Sequence, residues 1–160
     1  MKDIVRLLLE NKGDVNAVCD GNWTALMFAV WERRDADDIV KILLEAGADV
    51  NIANCEGDTA LMIAAETYHS KAIPLLLEAG AEVNAVNAYG VTALMNATWN
   101  VDTKTMRMLL EAGADPNIGD NRGNTAMSIA AGFRNPNYSR KTIPLLQKYG
   151  AASQAAPSKS

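Results

Sequence analysis

The sequence is poor in the residues that metal sites, catalysis and covalent scaffolds require. Its 160 residues hold one histidine, His69, and two cysteines, Cys19 and Cys55. A zinc site or a histidine-based triad therefore has almost no material, and two cysteines cannot build a disulfide scaffold. No apolar run reaches the roughly 20 residues of a membrane span. The first ten residues mix Lys2, Asp3, Arg6 and Glu10 into their apolar positions, which a secretory leader does not do. Positive charge is also scarce, with 15 Lys and Arg against 19 Asp and Glu and a pI near 5.0. That balance is wrong for a phosphate-backbone partner, so neither nucleic acid nor membrane is expected. No glycine-rich phosphate loop follows a strand, and no cofactor is expected. The titratable residues form no cluster that would suggest an enzyme. The default location is the cytoplasm.

What the sequence does hold is one phrase, repeated. Leu43 to Asn51 reads L-L-E-A-G-A-D-V-N, Leu76 to Asn84 reads L-L-E-A-G-A-E-V-N, and Leu109 to Asn117 reads L-L-E-A-G-A-D-P-N. Eight residues after each asparagine stands a threonine, Thr59, Thr92 or Thr125, that opens T-A-L-M or the weaker T-A-M-S. Successive asparagines are 33 residues apart. A period of this size means stacked units that cannot bury their apolar faces alone. The units read as a half unit over 1–16, full units over 17–51, 52–84, 85–117 and 118–151, and a disordered tail over 152–160.

Within a unit the expected order is turn, helix, turn, helix. Thr24 and its equivalents are N-cap types, followed by apolar stripes at helical spacing, such as Leu26, Ala29 and Val30. Asp37, Ser70 and Thr103 share a register and are expected to cap the second helices. Pro74 and Pro144 are expected in or near the first turn of those helices, where a missing N–H is tolerated. Gly47, Gly80 and Gly113 sit where a left-handed residue closes a helix. Lys12 stands at that position in the half unit and would be strained there unless Gly13 takes over. Extra residues near Arg33-Arg34-Asp35 and near Arg134-Asn135-Pro136-Asn137 are expected to lengthen the turn between the two helices. Gln147 and Lys148 give the last unit the polar outer face of a terminal cap. The helix over Ile4, Leu7 and Leu8 packs on one neighbour only, so it should open first.

The period, the Gly-x-Thr turns, the two short helices and the G-A-D-V-N ending resemble ankyrin repeats over residues 1–151. The family's Thr-Pro-Leu-His opening reads Thr-Ala-Leu-Met here, and the wording resembles bacterial arrays more than animal ones. The resemblance implies an all-α ankyrin-repeat solenoid of helix–turn–helix units with projecting hairpin loops. It also implies a non-catalytic protein–protein interaction module that binds through its hairpin and first-helix surface, as a monomer. The alternative is an accessory or targeting module of a larger protein whose activity lies elsewhere.

Packing residues repeat in phase, so the informative residues are those that break phase. Met27, Met62 and Met95 recur in register and read as core. The Asn16, Asn51, Asn84, Asn117 series reads as a structural ladder, and His69 as a residue that bonds backbone in its turn. Cys19 and Cys55 lie one unit apart; stacked helices sit roughly 8–10 Å apart, beyond the roughly 7 Å that a disulfide spans between Cα atoms, so free thiols are expected. The positions that vary on the implied binding surface carry Trp23, Trp31, Glu56, Asp58, Glu66, Tyr89, Trp99, Arg122 and Phe133, while Phe28, Tyr68, Tyr138 and Tyr149 are expected elsewhere. The competing reading is that Trp31 and Trp99 only cover helix ends. The hairpin side is acidic, with Asp14, Asp20, Asp49, Glu56, Asp58, Glu82, Asp115 and Asp120 against Lys12 and Arg122. A protein partner with a basic or apolar surface fits that face.

Overall fold

The computed structural model describes residues 13–32 and 36–150. The expected first helix, Lys12, the inserted residues 33–35 and the tail lie outside these. Among the described residues a short antiparallel hairpin pairs β1 (Val18–Cys19) with β2 (Trp23–Thr24). Eight helices follow: α1 (Ala25–Trp31), α2 (Ala36–Glu45), α3 (Ala60–Glu66), α4 (Ala72–Glu78), α5 (Ala93–Trp99), α6 (Thr103–Glu111), α7 (Ala126–Ala131) and α8 (Pro136–Lys148). Each odd-numbered helix packs on the even-numbered helix after it. The odd helices stack in one row and the even helices in a second. The fold is the all-α solenoid that the repeat predicts.

The core lies between the two rows. Leu26, Leu61 and Leu94 are buried, as are Met27, Met62 and Met95. Ala64, Ala65, Ala97 and Ala130 are fully covered where the odd helices meet, and their small side chains let the helix axes approach. Thr24, Thr92 and Thr125 cap their helices by accepting from the backbone N–H three residues on. Thr59 occupies the same place without that bond.

The asparagine ladder is present. The side-chain oxygens of Asn16, Asn51 and Asn84 accept from the N–H groups of Asp49, Glu82 and Asp115 at 2.8–2.9 Å. The amides of Asn51, Asn84 and Asn117 donate to the carbonyls of Gly80, Gly113 and Gly150. A second ladder runs through the hairpin tips, where the N–H groups of Cys55, Ala88 and Asn121 donate to the carbonyls of Gly21, Glu56 and Tyr89 at 2.8–2.9 Å. Each later tip is also braced from within. Asn54, Asn87 and Asp120 each accept two N–H groups of their own turn through one side-chain oxygen.

The turns between paired helices depart from the sequence reading. Asp102, not Thr103, caps α6, and its carboxylate accepts from the N–H groups of Lys104 and Thr105. Ser70 caps nothing, because α4 starts later, at Ala72. Asp37 lies inside the first turn of α2 and reaches outward, accepting from Lys71 Nζ at 3.0 Å and lying 2.9 Å from His69 Nε2. Buried His69 also places Nδ1 3.1 Å from the Val30 carbonyl, so it ties its turn to α1 of the preceding unit. Both turns carry a left-handed residue at the same register, Tyr68 at φ 61° and Val101 at φ 55°; the residue that follows it differs, Asp102 with a carboxylate that caps α6 in one unit and His69, whose ring bonds elsewhere, in the other.

A β-branched residue in that conformation is strained. Val101→Gly is therefore expected to raise stability by about 1 kcal/mol, the strain relieved exceeding the entropy cost of the added freedom. Urea denaturation checks this, and a lower midpoint for the variant would contradict it.

Pro144 likewise does not stand in a first turn. The extra residues of the last unit extend α8 to 13 residues, against 7 in α4, rather than lengthening the turn. Asn135 caps α8 by accepting from the Asn137 N–H, and Pro136 occupies the start of the helix, where its fixed φ is helical already. Pro144 thus falls in the helix interior. Gln147 and Lys148 are exposed, as a terminal cap requires.

Candidate protein-binding clefts

The hairpins and the C-terminal ends of the odd helices bring all nine candidate residues into two clefts rather than one groove. Trp23, Trp31, Glu56, Asp58 and Glu66 line the first, a space of about 330 Å³ between α1 and α3. Tyr89, Trp99, Arg122 and Phe133 line the second, about 580 Å³ between α5 and α7. The interface of α3 with α5 separates them. It carries polar ties: Asn87 donates to Asp58 Oδ1 at 2.8 Å, and Asn96 donates to the Met62 carbonyl.

The first cleft is built by the T-A-L-M helix start. With Thr24 as N-cap, Trp23 stands just before the helix and Phe28 at its fourth position, the spacing of a hydrophobic staple. The two rings lie 5.1 Å apart. Trp31 follows one turn later and meets Trp23 edge-on at 5.7 Å and 84°. The sequence places Phe28 away from this surface; the staple brings its ring against Trp23. Likewise Tyr138 meets Phe133 edge-on at 5.8 Å across the start of α8, because the extended helix carries it back over the turn. Trp23 and Phe133 are half-buried against the core, whereas Trp31, Tyr89 and Trp99 are 45–60% exposed. Sequence reasoning also missed Cys55, Ile63, Asp120, Asn121 and Ile129 as lining residues. Register alone could have placed Ile63 and Ile129, which share the position of Phe28.

The two clefts differ in charge. In the first, burial and then the neighbouring charges of Asp58 and Glu56 push the Glu66 carboxyl above the usual glutamate range. In the second, the side-chain amide of Asn124 holds Asp120 below the usual aspartate range against some burial, helped by the N–H groups of Asn124 and Arg122. Arg122 is exposed there. A carboxyl whose pKa is raised by folding favours the fold when protonated, and that contribution disappears as pH rises through the raised value. Glu66→Gln is therefore expected to melt above wild type at neutral pH and close to it near pH 4, where glutamate protonates. Thermal melts across that range check this; an earlier melt of the variant at neutral pH would show that Glu66 is stabilising.

Cys19 and Cys55 are both free and exposed. Among the described residues no group of three or more His, Cys, Asp or Glu is placed to hold a metal ion, and no helix is long and apolar enough to cross a membrane.

A family model described as ankyrin repeats in three copies matches residues 1–54 and 33–120. The chain belongs to the ankyrin repeat family. Ankyrin repeats are generally protein–protein interaction modules and typically non-catalytic. No curated protein matches this ankyrin repeat chain.

Proposed function

We propose that this ankyrin repeat chain is a non-catalytic protein-binding domain over residues 1–151, acting as a cytoplasmic monomer, with both clefts facing its partner. The supporting observation is the concentration of large rings on one side. Trp31, Tyr89 and Trp99 stand substantially exposed in or beside cavities, and Trp and Tyr dominate protein–protein hot spots. The packing residues behind them repeat in phase and leave these positions free to vary. A rigid stack also presents its surface preformed, at little ordering cost.

The test compares partner affinity and melting temperature for Trp99→Ala and Trp23→Ala. Trp99→Ala is expected to cost about 2 kcal/mol or more in binding with little change in melting. Trp23→Ala is expected to lower the melting temperature as well, because its ring closes the staple with Phe28. If Trp99→Ala melts early while keeping its affinity, that ring is packing and the reading fails.

A further inference from the structure

The first cleft has a chemistry that the second lacks. Its walls are two indoles at right angles, Trp23 and Trp31. Its other side presents Glu56, Asp58 and Glu66. Indole faces attract cations through the ring quadrupole, and three carboxylates add negative charge in a partly desolvated space. Among the described residues no Lys or Arg is ion-paired to any of the three. Asp58 accepts from the neutral amide of Asn87. Burial, and then the charges of Asp58 and Glu56, hold Glu66 above its ordinary range. Yet the carboxylates do not close around a single metal ion, so the cation that fits is extended and organic, with an apolar stem for the rings. The cleft's volume of about 330 Å³ accommodates one side chain rather than a folded element.

We propose that the cleft between α1 and α3 is a subsite for one cationic side chain, arginine or lysine, projecting from the protein partner. Trp23 and Trp31 receive its stem and the face of its charged group, and Glu56, Asp58 and Glu66 neutralise it. The second cleft, with Arg122 among Tyr89, Trp99 and Phe133, does not share this preference. The assignment rests on the protein-binding reading above and specifies what the partner presents to one of its two clefts.

The three tryptophans provide the assay, since two indole N–H groups report on the first cleft and one on the second. The full chain, labelled with nitrogen-15, is titrated with N-acetyl-arginine amide and with its neutral isostere N-acetyl-citrulline amide. The arginine derivative is expected to shift the Trp23 and Trp31 indole signals and spare Trp99, and the citrulline derivative to shift none comparably. The double variant Glu56→Gln, Glu66→Gln removes two exposed carboxylates and leaves both rings. It is expected to weaken the arginine titration by about fivefold to tenfold. Equal response to the two probes, equal movement of Trp99, no movement at all, or a titration unchanged in the double variant would each overturn the proposal. If it fails while Trp99→Ala still weakens partner binding, only the cation subsite is rejected and the protein-binding reading stands.

Discussion

Leu61→Ala is expected to be among the most damaging single truncations, costing about 2–5 kcal/mol. Leu61 is 1% exposed in α3, the helix that packs on α1 on one side and α5 on the other. Its removal leaves a hole lined by close-packed neighbours that cannot collapse without moving the helix. In a chain of this length each kcal/mol lowers the melting temperature by about 2–4 °C, so a fall of about 4–20 °C is expected. Because α3 is interior to the stack, the loss also weakens coupling between the two halves. Calorimetry with denaturant unfolding checks both points. A shift below about 1 kcal/mol would mean that the odd-helix row is looser than its burial indicates.

Gly57→Ala should be comparably severe, and Gly80→Ala should not. Both glycines have positive φ, 83° and 89°, so both substitutions carry a left-handed penalty of about 1–2 kcal/mol. The surroundings differ. A Cβ on Gly80 meets nothing within 4 Å, whereas on Gly57 it meets Ala88 N at 2.9 Å, Asn87 Cα at 3.0 Å and Asn87 C at 3.2 Å. Those atoms are backbone of the next hairpin and cannot swing aside. They also belong to the tip ladder, in which the Ala88 N–H donates to the Glu56 carbonyl. The clash adds about 1–3 kcal/mol, for a total of about 2–5 kcal/mol. Equal unfolding midpoints for the two variants would show that the hairpins slide freely past each other.

The sequence showed whatever was locked in phase. The 33-residue step located the odd helices, the leucine and methionine stripes, the asparagine ladder and the closing glycines, because one solution to burial was written out several times. It concealed what depends on single residues. Val101 and Tyr68 adopt left-handed backbone without a glycine to announce it, and the cap falls to Asp102 rather than Thr103 because the next residue there is an aspartate, where the equivalent turn has His69. The residue count of the last unit revealed an insertion but not its destination; Asn135 and Pro136 sent it into α8, and Pro144 became an interior residue. Register places the nine candidate positions on one surface. It does not say which rings touch, nor that the middle interface is tied by polar Asn87 and Asn96.

That middle interface also fixes a length. Each cleft is made by two adjacent helix pairs, and no residue lines both. The distance between them is therefore set by whole units of the stack and is independent of what either contains. A further unit spliced in after Asn84 would move the anchors apart by one step, roughly 8–10 Å, and leave each anchor's chemistry intact. A partner gripping both clefts would have to match that quantised spacing, while a partner gripping one would be indifferent to it. Affinity and reach are in this sense separately adjustable, the first by residues at the hairpin tips and the second by counting repeats.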